Sequence, residues 1–184
     1  MVNQVHQILR TLDNNAEEGK ALFDNRLKIS VNPDTVMGIR IPFIRKAGKK
    51  LSKLLSFREA IDILYPIAQK KFEYKLLFAN VAGSRASEAE VQELYERLFE
   101  CVDGWGTSDF FLDVISSICD KHKSAIDLLK EQINRHKNNA NPYARRLTIV
   151  VLKTSSQGIY HPLRGPNSYT KKSKMMRTTT YPWA

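Results

Sequence analysis

The chain has 184 residues and a formal net charge of +10, from 29 lysines and arginines against 19 aspartates and glutamates. Such a length fits one domain of roughly 100–200 residues, and 42% hydrophobic with 26% charged residues is a globular rather than a disordered mix. Eight glycines and seven prolines are too few for a loop-rich β-sandwich, the two cysteines form no disulfide or zinc pattern, and no apolar run nears the ~20 residues of a membrane span.

Nearly every segment up to about residue 154 repeats its apolar side chains at the helical period. Residues 2–12 align Val5, Ile8, Leu9 and Leu12. Residues 15–28 are expected to form a second helix offering Ala21, Leu22 and Phe23, with Glu17 and Glu18 in a first turn that suits the positive end of the helix dipole. Residues 31–41 read as a loop, and Pro42 as the first residue of the next helix, where its missing N–H costs nothing. Phe43, Ala47, Leu51 and Leu54 are then the expected buried stripe, with basic rows Arg45/Lys49/Lys53 and Lys46/Lys50 on the other sides.

Ser56 and Glu59 have capping-box spacing ahead of Ala60, Ile63, Leu64 and Ile67. Residues 72–83 are apolar enough for a central helix. Ser87 and Glu90 form a second capping box before Val91, Leu94, Tyr95, Leu98 and Phe99. Gly104 and Gly106 bracket Trp105, and Thr107 or Ser108 is the expected cap of a helix carrying Phe111, Val114, Ile115 and Ile118. Residues 124–137 and 142–153 supply two more helices. The expected fold is all-α, antiparallel helix pairs stacked over residues 1–154. Residues 155–184 show no amphipathic stripe and are expected to be an irregular basic tail.

The charge is local. Seven basic residues and no acid lie between Asp34 and Glu59, five more and no acid between His161 and Ala184, so the remainder is close to neutral. A charge gathered in two segments attracts polyanions, although lysines on a solvated helix face often do nothing specific.

The four histidines are scattered, so metal chemistry has no support, and phosphate-binding glycine loops and nucleophile triads are absent from the sequence. The segment from Asp103 to Phe110 stands apart. It sets Trp105 at a surface edge with Asp109 four residues later, in the first turn of the expected helix. A dipole-favouring aspartate and a packing tryptophan explain it structurally. Chemically, a carboxylate beside an aromatic platform suits cleavage of an N-glycosidic bond, since the sugar acquires oxocarbenium character that a fixed anion stabilises. Asp113 lies one turn further on the same face, close enough to couple to Asp109. Arg145 and Arg146, in the otherwise apolar last helix, each need an anion or a carbonyl. A phosphate and a structural salt bridge to Asp109 or Asp103 both meet that need.

Gly38-Ile-Arg-Ile-Pro42-Phe-Ile-Arg45-Lys-Ala47, Phe72-Glu73-Tyr-Lys-Leu-Leu, Asp103-Gly-Trp105-Gly-Thr-Ser-Asp109-Phe and Tyr143-Ala-Arg-Arg146 occur in this order. Together they resemble the DNA alkylation repair family, HEAT-like helical-repeat glycosylases that excise alkylated purines. The resemblance covers roughly residues 30–154 and departs from the family pattern at Gly106 and Ser108, where larger residues are common. It implies a HEAT-like α-α superhelix, shortened at the C-terminus because family members continue with further helix pairs. It also implies a cytoplasmic, nucleoid-associated protein that grips duplex DNA carrying alkylated bases and needs no cofactor, metal, membrane or obligate protein partner. Carried over by position, Asp109 is the catalytic carboxylate, Trp105 lies against the lesion nucleotide and Arg146 shares the cleft. Arg40, Arg45, Lys46, Lys49, Lys50, Lys53 and Arg145 are the expected DNA-binding residues. A non-catalytic nucleic-acid-binding module and a protein-binding scaffold are the alternative readings.

Overall fold

A computed structural model describes residues 2–122 and 124–156. The expected irregular tail lies almost wholly outside the described residues. Among those described there are nine α-helices and no strand: α1 Val2–Asp13, α2 Glu18–Arg26, α3 Ile41–Leu51, α4 Phe57–Ala68, α5 Phe72–Arg85, α6 Val91–Cys101, α7 Trp105–Lys121, α8 Ala125–His136 and α9 Pro142–Ser156. Short 3-10 turns at Pro33–Thr35 and Glu88–Glu90 precede α3 and α6. The last helix runs two residues past the expected boundary at 154.

Helix α1 packs on α3, α3 on α5, α5 on α7 and α7 on α9, so the odd-numbered helices from α1 form one layer. Helices α4, α6 and α8 back it, with α4 against α5 and α6 against α8. This is the stacked helix-pair architecture the periodicity predicts. The two capping boxes form as expected: Ser56 Oγ accepts from the Glu59 N–H while Glu59 accepts from the Ser56 N–H, and Glu90 accepts from the Ser87 N–H and hydroxyl. Helix α5 is buried from Phe72 to Ala79 on every side, as befits a helix flanked by α3, α4 and α7. It surfaces mainly at Asn80, Gly83, Ser84 and Arg85.

Three expectations change. Helix α2 leaves Leu22 and Phe23 more than half exposed and instead buries Asp24, which Lys20 neutralises one turn away. The reason is a close approach by Gly38. Its φ of +77° carries the chain against α2, where a Cβ would lie 2.2 Å from the Glu17 carbonyl and 2.6 Å from the Ala21 nitrogen. Helix α3 starts at Ile41, not Pro42, and its buried stripe is Ile44, Ala47, Gly48 and Leu51. Phe43 stays exposed and Leu54 falls in the turn beyond the helix, half-buried. Gly48 decides that rotation, because Asn80 of α5 occupies the space its side chain would take. Helix α7 begins at Trp105, so Thr107 and Ser108 lie inside it rather than capping it, and Asp109 stands in the second turn.

Candidate active site on helix α7

The start of α7 is fixed by Thr107, whose hydroxyl accepts the Asp103 and Gly104 N–H groups at 3.2 and 3.1 Å and donates back to the Gly104 carbonyl. From this start, Trp105, Asp109, Asp113 and Ser117 follow at four-residue intervals and form one exposed row, while Thr107, Ser108, Phe110, Phe111, Val114 and Ile115 are buried.

Trp105 is held from the side. Its indole N–H donates to the Leu27 carbonyl at 2.9 Å, leaving the residue 36% exposed. The segment from Leu27 to Val31 lies along the start of α7, with Gly106 N–H donating to the Ile29 carbonyl (3.2 Å) and Val31 N–H to the Asp103 carbonyl (2.9 Å). Gly104 is required for this contact, since a Cβ there would sit 1.9 Å from the Ile29 carbonyl oxygen. Gly106 is similarly confined by Phe72 and Ile29, and Ser108 is fully buried with its hydroxyl on the Gly104 carbonyl. Gly106 therefore belongs to the close docking of residues 27–31, whereas Ser108 is buried beneath α9, its hydroxyl also 3.4 Å from the Tyr143 carbonyl.

Behind the tryptophan, Lys75 of α5 donates to the Asp103 carboxylate, which also accepts from the Ser30 hydroxyl at 3.1 Å. Lys75 is nearly inaccessible. Glu73, two residues earlier and also buried, accepts the N–H groups of Met37, Gly38 and Ile39 at 2.7–3.1 Å, tying the entry to α3 onto α5. Burial pushes its carboxyl above the usual range, and the three backbone donors act against that rise. Neither Glu73 nor Lys75 has a role in the sequence reading. Two charges inside the expected central helix are the available signal, because a buried charge requires a partner.

Arg146 of α9 reaches Asp109: Nη2 lies 3.0 Å from Oδ1, with both side chains nearly half exposed. Of the two partners open to Arg146, the structure has the salt bridge to Asp109, while Asp103 is taken by Lys75. Asp113 turns to a different arginine. Its Oδ2 lies 3.3 Å from Nη2 of Arg45, on α3. Trp105, Asp109 and Arg146 thus converge on one edge, with Arg45 joining the same row one turn along.

The expected DNA-binding residues separate into groups. Arg45 and Lys49 line a groove of about 590 Å³ between α3 and α7, floored by Asn80, Gly83 and Ser84 of α5. Lys46 and Lys50 face α1 instead, in a groove of similar size that also holds Phe43, and Lys53 lines both. Arg40 is held by a two-pronged pair with Glu17, both contacts at 2.8 Å, and this guanidinium keeps the Glu17 carboxyl below the usual range. Arg145 turns to the Asn139 and Ala140 carbonyls at the end of α8, so it found a carbonyl rather than an anion.

Among the described residues no cluster of His, Cys, Asp and Glu could hold a metal, and no helix is long and apolar enough to cross a membrane. Cys101 and Cys119 are buried and unpaired, and burial pushes the Cys101 thiol up to about 12, so it has no thiolate character near neutrality. Residues 8–157 match the family described as DNA alkylation repair enzyme. No curated protein and no solved structure matches the chain at a significant level.

Proposed function

The chain belongs to the DNA alkylation repair enzyme family, and we propose that it binds duplex DNA and excises N3- and N7-alkylated purines by hydrolysing the N-glycosidic bond. The observation that carries this reading is the convergence of Trp105, Asp109 and Arg146 on one exposed edge, with the Asp109–Arg146 contact at 3.0 Å.

An alkylated purine nitrogen makes the base a cationic leaving group, so little acid catalysis is needed. The C1′–N bond breaks heterolytically and the purine departs neutral with the bonding pair. Asp109 faces the oxocarbenium-like sugar and stabilises its charge, as a fixed anion does best where water is displaced. A water molecule then adds to C1′, and its proton passes to Asp109 or to solvent. Trp105, clamped at its indole nitrogen, offers a rigid face to the nucleotide. Arg146 fixes the orientation of the carboxylate. Being exposed, the pair is cheap to loosen, worth about 0–1 kcal/mol, so a DNA phosphate competes effectively for the guanidinium.

The test is release of 7-methylguanine or 3-methyladenine from alkylated duplex DNA. Wild type is expected to exceed an Asp109→Asn variant by about 10²-fold or more. Equal release by the two, at the rate without protein, overturns the catalytic claim. Salt-dependent binding that survives Asp109→Asn would then leave the non-catalytic nucleic-acid-binding module.

A further inference from the structure

The groove between α3 and α7 is adjacent to the Trp105–Asp109–Arg146 edge but does not include it. Its walls carry Arg45, Lys49 and Lys53 on one side and Asp113 on the other, over an α5 floor of Asn80 and Ser84. Asp113 is the sole acid among these lining residues. Lys49 and Lys53 have no ion-pair partner among the described residues, so the groove carries a net positive charge with Asp113 already counted. Arg45 stands in a second contact besides Asp113: its guanidinium carbon lies 5.8 Å from the centre of the Phe110 ring, on the buried side of α7. This contact is independent of the carboxylate. A carboxylate offers a guanidinium two oxygens sharing one negative charge, as the two non-bridging oxygens of a phosphodiester do.

We propose that this groove seats a phosphodiester of the DNA backbone beside the lesion, and that Asp113 is an internal stand-in for that phosphate. It occupies Arg45 in the free protein and is displaced when DNA arrives. The inference rests on the DNA-binding reading above and deepens it. Asp113 then sets how strongly the backbone is gripped and has no part in bond cleavage. Because the exchange precedes any contact with the base, its effect is the same on alkylated and undamaged duplex. The pair is well exposed, with side-chain accessibilities of 58% and 68%, so phosphate and carboxylate are in close competition.

The experiment measures equilibrium binding of a fluorescently labelled undamaged duplex, and of its alkylated counterpart, across a salt series. It compares wild type, Asp113→Asn, Arg45→Gln and the double variant, with thermal melts to show that all four fold. Asp113→Asn is expected to tighten both duplexes by the same factor, about three- to ten-fold at low salt, and to steepen the salt dependence by nearly one released counterion. Adding Arg45→Gln to Asp113→Asn is expected to reverse that steepening, so that the double variant has the slope of Arg45→Gln alone. Duplex binding with the same slope shift for Asp113→Asn whether or not Arg45 is present overturns the stand-in while leaving the DNA reading intact. A gain confined to alkylated duplex overturns it too. Absence of duplex binding by all four proteins overturns both readings.

Discussion

Replacing Gly104 with alanine tests whether the docking of residues 27–31 holds Trp105 in place. The added Cβ would lie 1.9 Å from the Ile29 carbonyl oxygen and 2.8 Å from its carbon, and ordinary contact begins near 3.4 Å. Both obstacles are backbone, so no side chain can swing aside, and the segment must retreat by about 1.5 Å. Such a shift breaks the Gly106–Ile29 bond, already 3.2 Å, and takes the Val31–Asp103 and Trp105–Leu27 bonds, each 2.9 Å, beyond hydrogen-bonding range. At about 1 kcal/mol for each of these bonds the loss is about 2–3 kcal/mol. That is a large part of the ~5–15 kcal/mol of a typical domain. The assay is urea unfolding followed by tryptophan emission in a Trp183→Phe background, where Trp105 is the remaining tryptophan. A lower midpoint, red-shifted emission and faster quenching by acrylamide are expected together. Gly19→Ala is the control, because nothing lies within 4 Å of its Cβ, and helix propensity there favours alanine by about 0.5–1 kcal/mol. A Gly104→Ala protein within about 0.5 kcal/mol of wild type, with unchanged emission, would refute the reasoning.

Lys75→Met leaves the Asp103 carboxylate without its buried cation and is expected to cost about 3 kcal/mol, with Lys75→Met/Asp103→Asn recovering more than half; simple addition of the two single costs in chemical denaturation would count against the pairing. Trp105→Phe keeps an aromatic face but loses the bond to the Leu27 carbonyl, so stability is expected to fall by about 1 kcal/mol and base release to fall with it, read by denaturation and by product chromatography. Ser56→Ala removes the cap of α4 and is expected to cost about 1 kcal/mol. Its partner Glu59 has a carboxyl held below the usual range by the Ser56 N–H and hydroxyl. That contribution is complete above the ordinary glutamate pKa and is lost as pH falls through the lowered folded value, so Glu59→Gln should flatten the acid limb of the stability curve. Melting curves between pH 2 and 6 check this, and an unchanged acid limb would speak against it.

The elements legible in the sequence are those fixed by neighbours within one turn. Ser56 and Glu59 form their capping box because its partners are three residues apart, and Val91, Leu94, Tyr95, Leu98 and Phe99 are all buried because a single stripe leaves α6 one way to face the core. Helix α3 offers two overlapping stripes, through Phe43 or through Ile44, and its period alone does not choose between them. Contact with Asn80 at Gly48 does. The beginning of α7 is hidden from the local pattern for a similar reason: Thr107 looks like a cap, yet its hydroxyl works backward onto Asp103 and Gly104 from inside the helix.

By itself, then, the sequence determined an all-α chain, its helix-pair order, a basic segment after Gly38 and the Trp105–Asp109 spacing that puts both on one face of α7. These follow from periodicity, caps and charge, which act over a few residues. Only the tertiary structure decided which charges meet. Arg146 reaches Asp109 across 37 positions, Arg45 reaches Asp113 across 68, and Trp105 is held by a carbonyl 78 residues earlier. Those pairings depend on how α3, α7 and α9 stack about the buried α5. Packing of whole helices sets that arrangement, and no local pattern encodes it.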